Sequence, residues 1–315
     1  MAHRVLVAGE TLIDMLPDRP GSLADVGAFE RRAGGAPANV AVALARLDET
    51  PLLWTRLAAD PFGDFLAERL ASEGLPDRFV ERDPDARTAL AFVAHDDDAD
   101  RRFTFYRDGT ADTRIRPGTV PDAVLDDLDW VHVGGVALTD EPARSATLDL
   151  AERARDAGCT VSFDPNARPE LWDGTAEYAA AVNEALAYAH VVKTDPDELA
   201  FLDVDAPEEL ARAVRKRGPH TVFVTLGDDG ALASSGANAP WSGETRHSGF
   251  EVVPVDTTGA GDAFLAGAIT AMLDERNRDE TLAFANAVAA TATTEAGAME
   301  ALPEREAAER MLERT

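Results

Sequence analysis

Apolar and polar positions alternate in short runs over the first hundred residues. The runs at 4–9, 11–16, 52–58, 88–94 and 102–107 predict strands, several of them buried on one face only. One helical pattern interrupts them, Pro37 to Leu47, with Val40, Leu44 and Leu47 on one face and Pro37 near the start, where a missing N–H costs little. From Trp130 the pattern changes to strand then helix, repeated. Strands are predicted at 130–133, 160–164, 190–193 and 221–225, with helical periodicity over 141–157, 175–188 and 206–217 between them. Two long helical patterns follow, about 261–276 and 280–296. Such alternation implies an α/β fold: a mostly parallel sheet with helices on both faces. The early segments, about 11–32 and 87–108, do not fit that core and predict a small separate sheet, a lid, within a single domain over 1–315. Ligands in doubly wound sheets bind beyond the carboxyl ends of the strands, so motifs there carry the most weight.

Composition narrows the setting. No apolar run approaches the ~20 residues that span a membrane, and the segment entering the first strand lacks the apolar core and cleavage site of a signal peptide, so the expected address is the cytoplasm. A single cysteine, Cys159, excludes an internal disulfide and a thiolate-cluster metal site. The net charge is −28, and only two residues are lysine, Lys193 and Lys216. The acids are interspersed among apolar periodic segments, as in Asp126-Asp127-Leu128-Asp129-Trp130, which implies a folded acidic surface. Such a surface suits a halophilic cytoplasm, where the Debye length is about 3 Å or less. It also repels nucleic acid and anionic membrane, so neither is an expected partner.

The chemistry concentrates in two places. Near the C-terminal third, an apolar run leads into Asp256-Thr257-Thr258-Gly259-Ala260-Gly261-Asp262 and a helix rich in Ala, Leu and Gly. The N–H groups of Gly259, Ala260 and Gly261 would face an anion at that helix N-terminus. Asp262, in the first turn, is an odd place for a carboxylate unless it takes a proton from a nucleophile. A Gly-rich turn with an acidic cap would read the same way. Neither lysine follows a glycine, so a Walker A loop is impossible, and no Gly-x-Gly-x-x-Gly follows the opening strand. Phosphate chemistry must therefore use this loop. The second place is Gly34-Gly35-Ala36-Pro37-Ala38-Asn39-Val40-Ala41, with Asp14 ahead of it in Glu10-Thr11-Leu12-Ile13-Asp14.

These two segments together resemble the PfkB (ribokinase-like) carbohydrate kinases, and the resemblance covers nearly the whole chain. It implies a three-layer αβα sandwich with a mostly parallel central sheet and a β-sheet lid. It implies an ATP-dependent kinase in which Asp262 deprotonates a sugar hydroxyl and the Gly259–Gly261 amides form an anion hole. Thr225-Leu226-Gly227-Asp228-Asp229-Gly230 resembles the family's nucleotide-binding turn, placing Thr225, Gly227 and Gly230 at ATP; Asn286 is assigned there too. Lys193 to Glu198 stands where relatives carry Asn-x-x-Glu. Glu198 matches as an indirect Mg2+ ligand with Lys193 beside the phosphates, whereas Asp195 stands where Asn or Ser is usual and reads equally as a solvated helix start. Asp256 and Thr258 match positions that help hold a monovalent cation, with carbonyls near Gly297 and Ala298, so K+ is expected.

At the sugar end, the resemblance gives Asp14 two adjacent sugar hydroxyls, Gly34 and Gly35 a close backbone approach, and Asn39 a donor and an acceptor. The run Phe103 to Arg107 and the segment Phe163-Asp164-Pro165-Asn166-Ala167-Arg168 resemble both fructokinases and 2-keto-3-deoxygluconate kinases. Phe103 and Phe105 share a strand face with Arg107 and read as core, with Arg107 and Arg168 as the expected ligand contacts. Fructose or a similar ketohexose is the expected substrate, with 2-keto-3-deoxygluconate as the alternative and a silent sugar- or nucleotide-binding regulator as the alternative of another class. The outer face of the lid is the expected surface of a homodimer.

Overall fold

Val5 and Val7 on one side of the first strand, and Leu6 and Ala8 on the other, are all at most 1% exposed. A strand buried on both faces must lie inside a sheet that is itself covered on both sides. The computed structural model describes residues 3–19, 21–95 and 101–313. In chain order its elements are β1 (Val5–Ala8), β2 (Leu12–Pro17), β3 (Phe29–Gly34), α1 (Ala36–Arg46), β4 (Leu52–Ala58), α2 (Pro61–Ser72), β5 (Val80–Asp83), β6 (Leu90–His95), β7 (Arg101–Tyr106), α3 (Asp122–Leu125), β8 (Trp130–Gly134), α4 (Ala143–Asp156), β9 (Thr160–Asp164), α5 (Thr175–Leu186), β10 (Val191–Thr194), α6 (Pro207–Arg215), β11 (Thr221–Thr225), β12 (Ala231–Ser235), β13 (Gly243–His247), α7 (Ala260–Leu273), α8 (Arg278–Ala292) and α9 (Arg305–Leu312).

The large sheet runs β13-β12-β11-β10-β9-β8-β1-β4-β5, parallel from β5 through β11 and closed at one edge by the antiparallel pair β12 and β13. Val5 and Val7 join one apolar layer with α1, α2, α7 and α8; Leu6 and Ala8 join the other with α4, α5 and α6. This is the ribokinase-like αβα sandwich. The chain leaves β1 towards β4 on one side and returns through β8 on the other, so the order reverses at β1, where such sheets place their crevice. A second sheet, β3-β2-β6-β7, stands apart from it.

The strands and helices predicted from periodicity are present, with ends shifted by a few residues. The first hundred residues hold a second helix that periodicity missed, α2, although Pro61 opens it and Asp60 caps it by accepting from the N–H groups of Phe62 and Gly63. The antiparallel strands β12 and β13 also went unread. Ala-Leu-Ala-Ser-Ser has little strand propensity, and Gly-Glu-Thr-Arg-His is polar because it lies at the sheet edge.

The entry to α1 positions the site. Gly35 holds φ 105°, and a β-carbon there would lie 2.5 Å from Glu10 O, so only glycine fits. Pro37 then seats against two further glycines, Gly9 after β1 and Gly134 at the end of β8; a β-carbon at Gly9 would overlap its ring, and one at Gly134 would come 3.3 Å from its Cγ.

Candidate active site

Gly259, left-handed at φ 78°, caps the start of α7, and residues 262–271 of that helix are all buried. A helix apolar on every side belongs in the interior, and α7 lies between α1 and α8. Its first turn therefore carries Asp262 inside, 8% exposed. A buried carboxyl needs a partner, and Asn39 Nδ2 donates to Asp262 Oδ2 at 2.8 Å across 223 residues of sequence. Burial raises the Asp262 carboxyl to about 6, with the Asn39 hydrogen bond pulling the other way. A base poised near neutrality suits proton abstraction.

Lys193 brings positive charge to the same loop: a β-carbon at Gly261 would lie 3.2 Å from its Nζ. Nζ pairs with Asp164 Oδ2 at 3.3 Å and Glu198 Oε2 at 3.6 Å, all three side chains buried. Burial works to discharge the lysine, but Asp164 and then Glu198 outweigh it and keep it charged. Both carboxyls are pushed upward by the same burial. Asp195 Oδ1 accepts from Glu198 N at 2.9 Å and Glu198 Oε2 from Asp195 N at 3.0 Å, so Asp195 fastens the turn that presents Glu198.

Asp256 ties two loops together. Its Oδ1 accepts from Thr258 N and Oγ1 (2.9 and 2.6 Å), and its Oδ2 accepts from Gly297 N at 2.9 Å. Gly259 lies against Ala298, where a β-carbon would approach to 3.2 Å. Carboxylate, hydroxyl and backbone oxygens at this junction are hard donors of the kind an alkali cation takes. Among the described residues no group of three or more His, Cys, Asp or Glu is placed to hold a metal ion.

Asp14, Gly35, Asn39, Gly259, Asp262 and Arg168 line one pocket. The lid supplies the opposite wall through Phe103 and Phe105, stacked at 5.8 Å, with the Arg168 guanidinium 5.2 Å from the Phe103 ring. The aromatic pair expected as core is thus pocket wall. A β-carbon at Gly34 would overlap the Asp14 carboxylate, so glycine there leaves that carboxylate its place. Arg107, expected as a ligand contact, is not among the residues lining this pocket and is 4% exposed. Its Nε donates to Asp112 (2.5 Å), and its Nη1 donates to Asp140 (2.7 Å) and Thr139 (2.5 Å).

Thr225 and Gly227 line an open groove with Asp195, and a neighbouring groove runs along Gly249–Pro254. Gly230 is conformationally fixed at φ 78°, its Cα facing the backbone of His247 to Gly249. Asn286 is not among the residues lining either groove; its Nδ2 donates to Leu282 O in its own helix at 2.7 Å. Sequence reasoning passed over Glu10, Asp164 and Asn166. Glu10 and Asn166 line the same pocket as Asp14 and Asp262, and Asp164 pairs with Lys193. Glu10 stands just after β1 and Asp164 at the end of β9, inner strands with β8 between them, and the carboxyl ends of inner strands could have flagged both.

The sequence profile of "pfkB family carbohydrate kinase" matches residues 2–305. A fructokinase of Vibrio alginolyticus is 35% identical over 317 residues, covering 96% of each chain. The crystal structure of a fructokinase with bound ATP from Xylella fastidiosa superposes with a TM-score of 0.88 at 32% identity, covering 100% of this chain and 99% of that one. A fructokinase from Vibrio cholerae O395 in a fructose-, ADP- and potassium-bound form does so at 0.85 and 34% identity, covering 99% and 98%.

Proposed function

The chain belongs to the pfkB family of carbohydrate kinases and is an ATP-dependent phosphotransferase, and from that premise we propose that it phosphorylates fructose or a similar ketohexose with Asp262 as the general base. The observation that carries the reading is the Asn39–Asp262 hydrogen bond, which aims a buried carboxyl raised to about 6 into the pocket that Asp14 shares. Relatives named as fructokinases, one of them holding fructose and ADP, support the sugar.

In this reading Asp14 and Asn39 orient the sugar, and Asp262 takes the proton of the hydroxyl to be phosphorylated. That oxygen bonds to the γ-phosphorus as the bond to ADP breaks. The amides of Gly259, Ala260 and Gly261 and the ammonium of Lys193 receive the charge on the transferred group. Thr225, Gly227 and Gly230 would line the nucleotide groove, and Glu198 would act on magnesium through water. Phe103 and Phe105 close the pocket against water, which restrains idle ATP hydrolysis. No helix among the described residues is long and apolar enough to cross a membrane. The outer face of the lid carries Phe29, Phe92 and a 63% exposed Tyr106, the surface through which a second copy would pair.

Coupled ADP release over a sugar panel tests the substrate, and fructose should give the highest kcat/KM. Preferred turnover of 2-keto-3-deoxygluconate would replace it, and ATP binding without turnover of any sugar would mark a silent regulator. Potassium replacing a large organic cation should raise the rate, because Asp256 and Thr258 set the loop that ends in Gly259. An unchanged rate would remove the cation from the scheme.

A further inference from the structure

Two buried opposite charges beside the sugar pocket each keep one atom without a hydrogen-bond partner among the described residues. Glu10 is 3% exposed and lines the pocket that holds Asp14, Asn39 and Asp262; its Oε2 is buried and unbonded. Arg107 places Nε and Nη1 on Asp112, Asp140 and Thr139, while its Nη2 is likewise buried and unbonded. Folded proteins seldom leave such groups alone, and two of opposite sign would join directly if geometry allowed. They do interact through the interior: Arg107 is the charge that acts most strongly on Glu10, and Glu10 is second only to Asp112 in acting on Arg107. Arg168 acts on both Glu10 and Asp262, whereas Arg107 and Asp112 act on Glu10, and Asp164 and Lys193 on Asp262. A sugar hydroxyl has a proton to give, so it can answer the unbonded oxygen of Glu10, the one of the two residues that lines the pocket.

We propose that Glu10 is a sugar-binding residue, its Oε2 accepting a hydrogen bond from one sugar hydroxyl. Arg107 does not line the pocket; its charge acts on Glu10 through the interior while its guanidinium holds the end of the lid's last strand β7 to Asp112 and Asp140. The inference rests on the reading that the pocket takes a neutral ketohexose.

The test compares Glu10→Gln with the wild type on fructose and a series of its monodeoxy analogues. Sugar affinity is measured by calorimetry beside KM, kcat, KM for ATP and Tm. Glu10→Gln should weaken fructose binding about 10- to 100-fold, the range of a hydrogen bond to a charged group, with KM for ATP and Tm unchanged. One monodeoxy analogue should lose a similar factor in the wild type and nothing further in the variant. Unchanged fructose affinity overturns the proposal. So does a parallel loss of ATP affinity and Tm, which marks a structural role, and so does an equal penalty for every analogue in both proteins, which marks a bound water. Where Glu10→Gln is not recovered folded, Glu10→Asp keeps the charge, draws the oxygens back by one carbon and serves the same comparison. Lack of fructose turnover by the wild type is a failure of the substrate reading instead, and the series is then built on whichever sugar the wild type phosphorylates.

Discussion

Asp262→Asn should lower kcat by about 10²–10⁴-fold while leaving sugar and ATP affinity within a few-fold of the wild type. The amide is isosteric and can still accept from Asn39 Nδ2, so the pocket keeps its shape and loses only its proton acceptor. A near-normal rate would refute the assigned base. The wild type carries a second signature. Asp262 works unprotonated, so kcat/KM should fall as pH drops through about 6, and the variant should lack that acid limb. Stability should move the other way. A carboxyl whose folded value, about 6, lies above its ordinary 3.8 binds its proton more tightly when folded. Its contribution is full below 3.8 and is lost as pH rises through 6. At pH 7–8 the native protein therefore bears an ionised buried group that Asp262→Asn removes, and the variant should melt higher, with the advantage shrinking as pH falls below 6.

Lys193→Met should have the largest effect on stability, about 3–5 kcal/mol at pH 8. It strands Asp164 and Glu198, both buried, without the cation that answers them. Burial already pushes both carboxyls upward, and with the lysine gone only the backbone N–H groups of Asn166 and Asp195 oppose that shift. Their folded values then lie above their unfolded ones, so the stability they allow is present at low pH and lost as pH rises through the folded values. Urea midpoints at pH 5.5 and pH 8 check this: the variant should recover part of its loss at pH 5.5. An equal loss at both would mean that the lysine matters through packing alone.

Periodicity made the parallel core legible because its strands and helices bury continuous apolar faces, as β8, β9 and β11 do. It failed where sheet neighbours decide conformation, as at the polar β13. The anion loop and the Gly34–Asn39 segment were readable because each needs small residues in sequence order. Pairings across the fold were not: nothing in the sequence spacing tells that Asn39 meets Asp262, or that Lys193 answers Asp164. Arg107 shows the same limit from the other side. Its place after Phe105 gave the strand face, while its depth depends on Asp112 and Asp140, which periodicity does not report.

The seat of Pro37 between Gly9 and Gly134 has a consequence for how such a protein can change. It fixes Asn39 to the ends of β1 and β8, whereas Phe103 and Phe105 belong to a separate sheet. Substitutions along β6 and β7 can therefore reshape one wall of the pocket without displacing the Asn39–Asp262 pair. The part of sugar selectivity that Phe103 and Phe105 carry is thereby separable from the machinery of phosphoryl transfer, whereas the part that Asn39 carries is not.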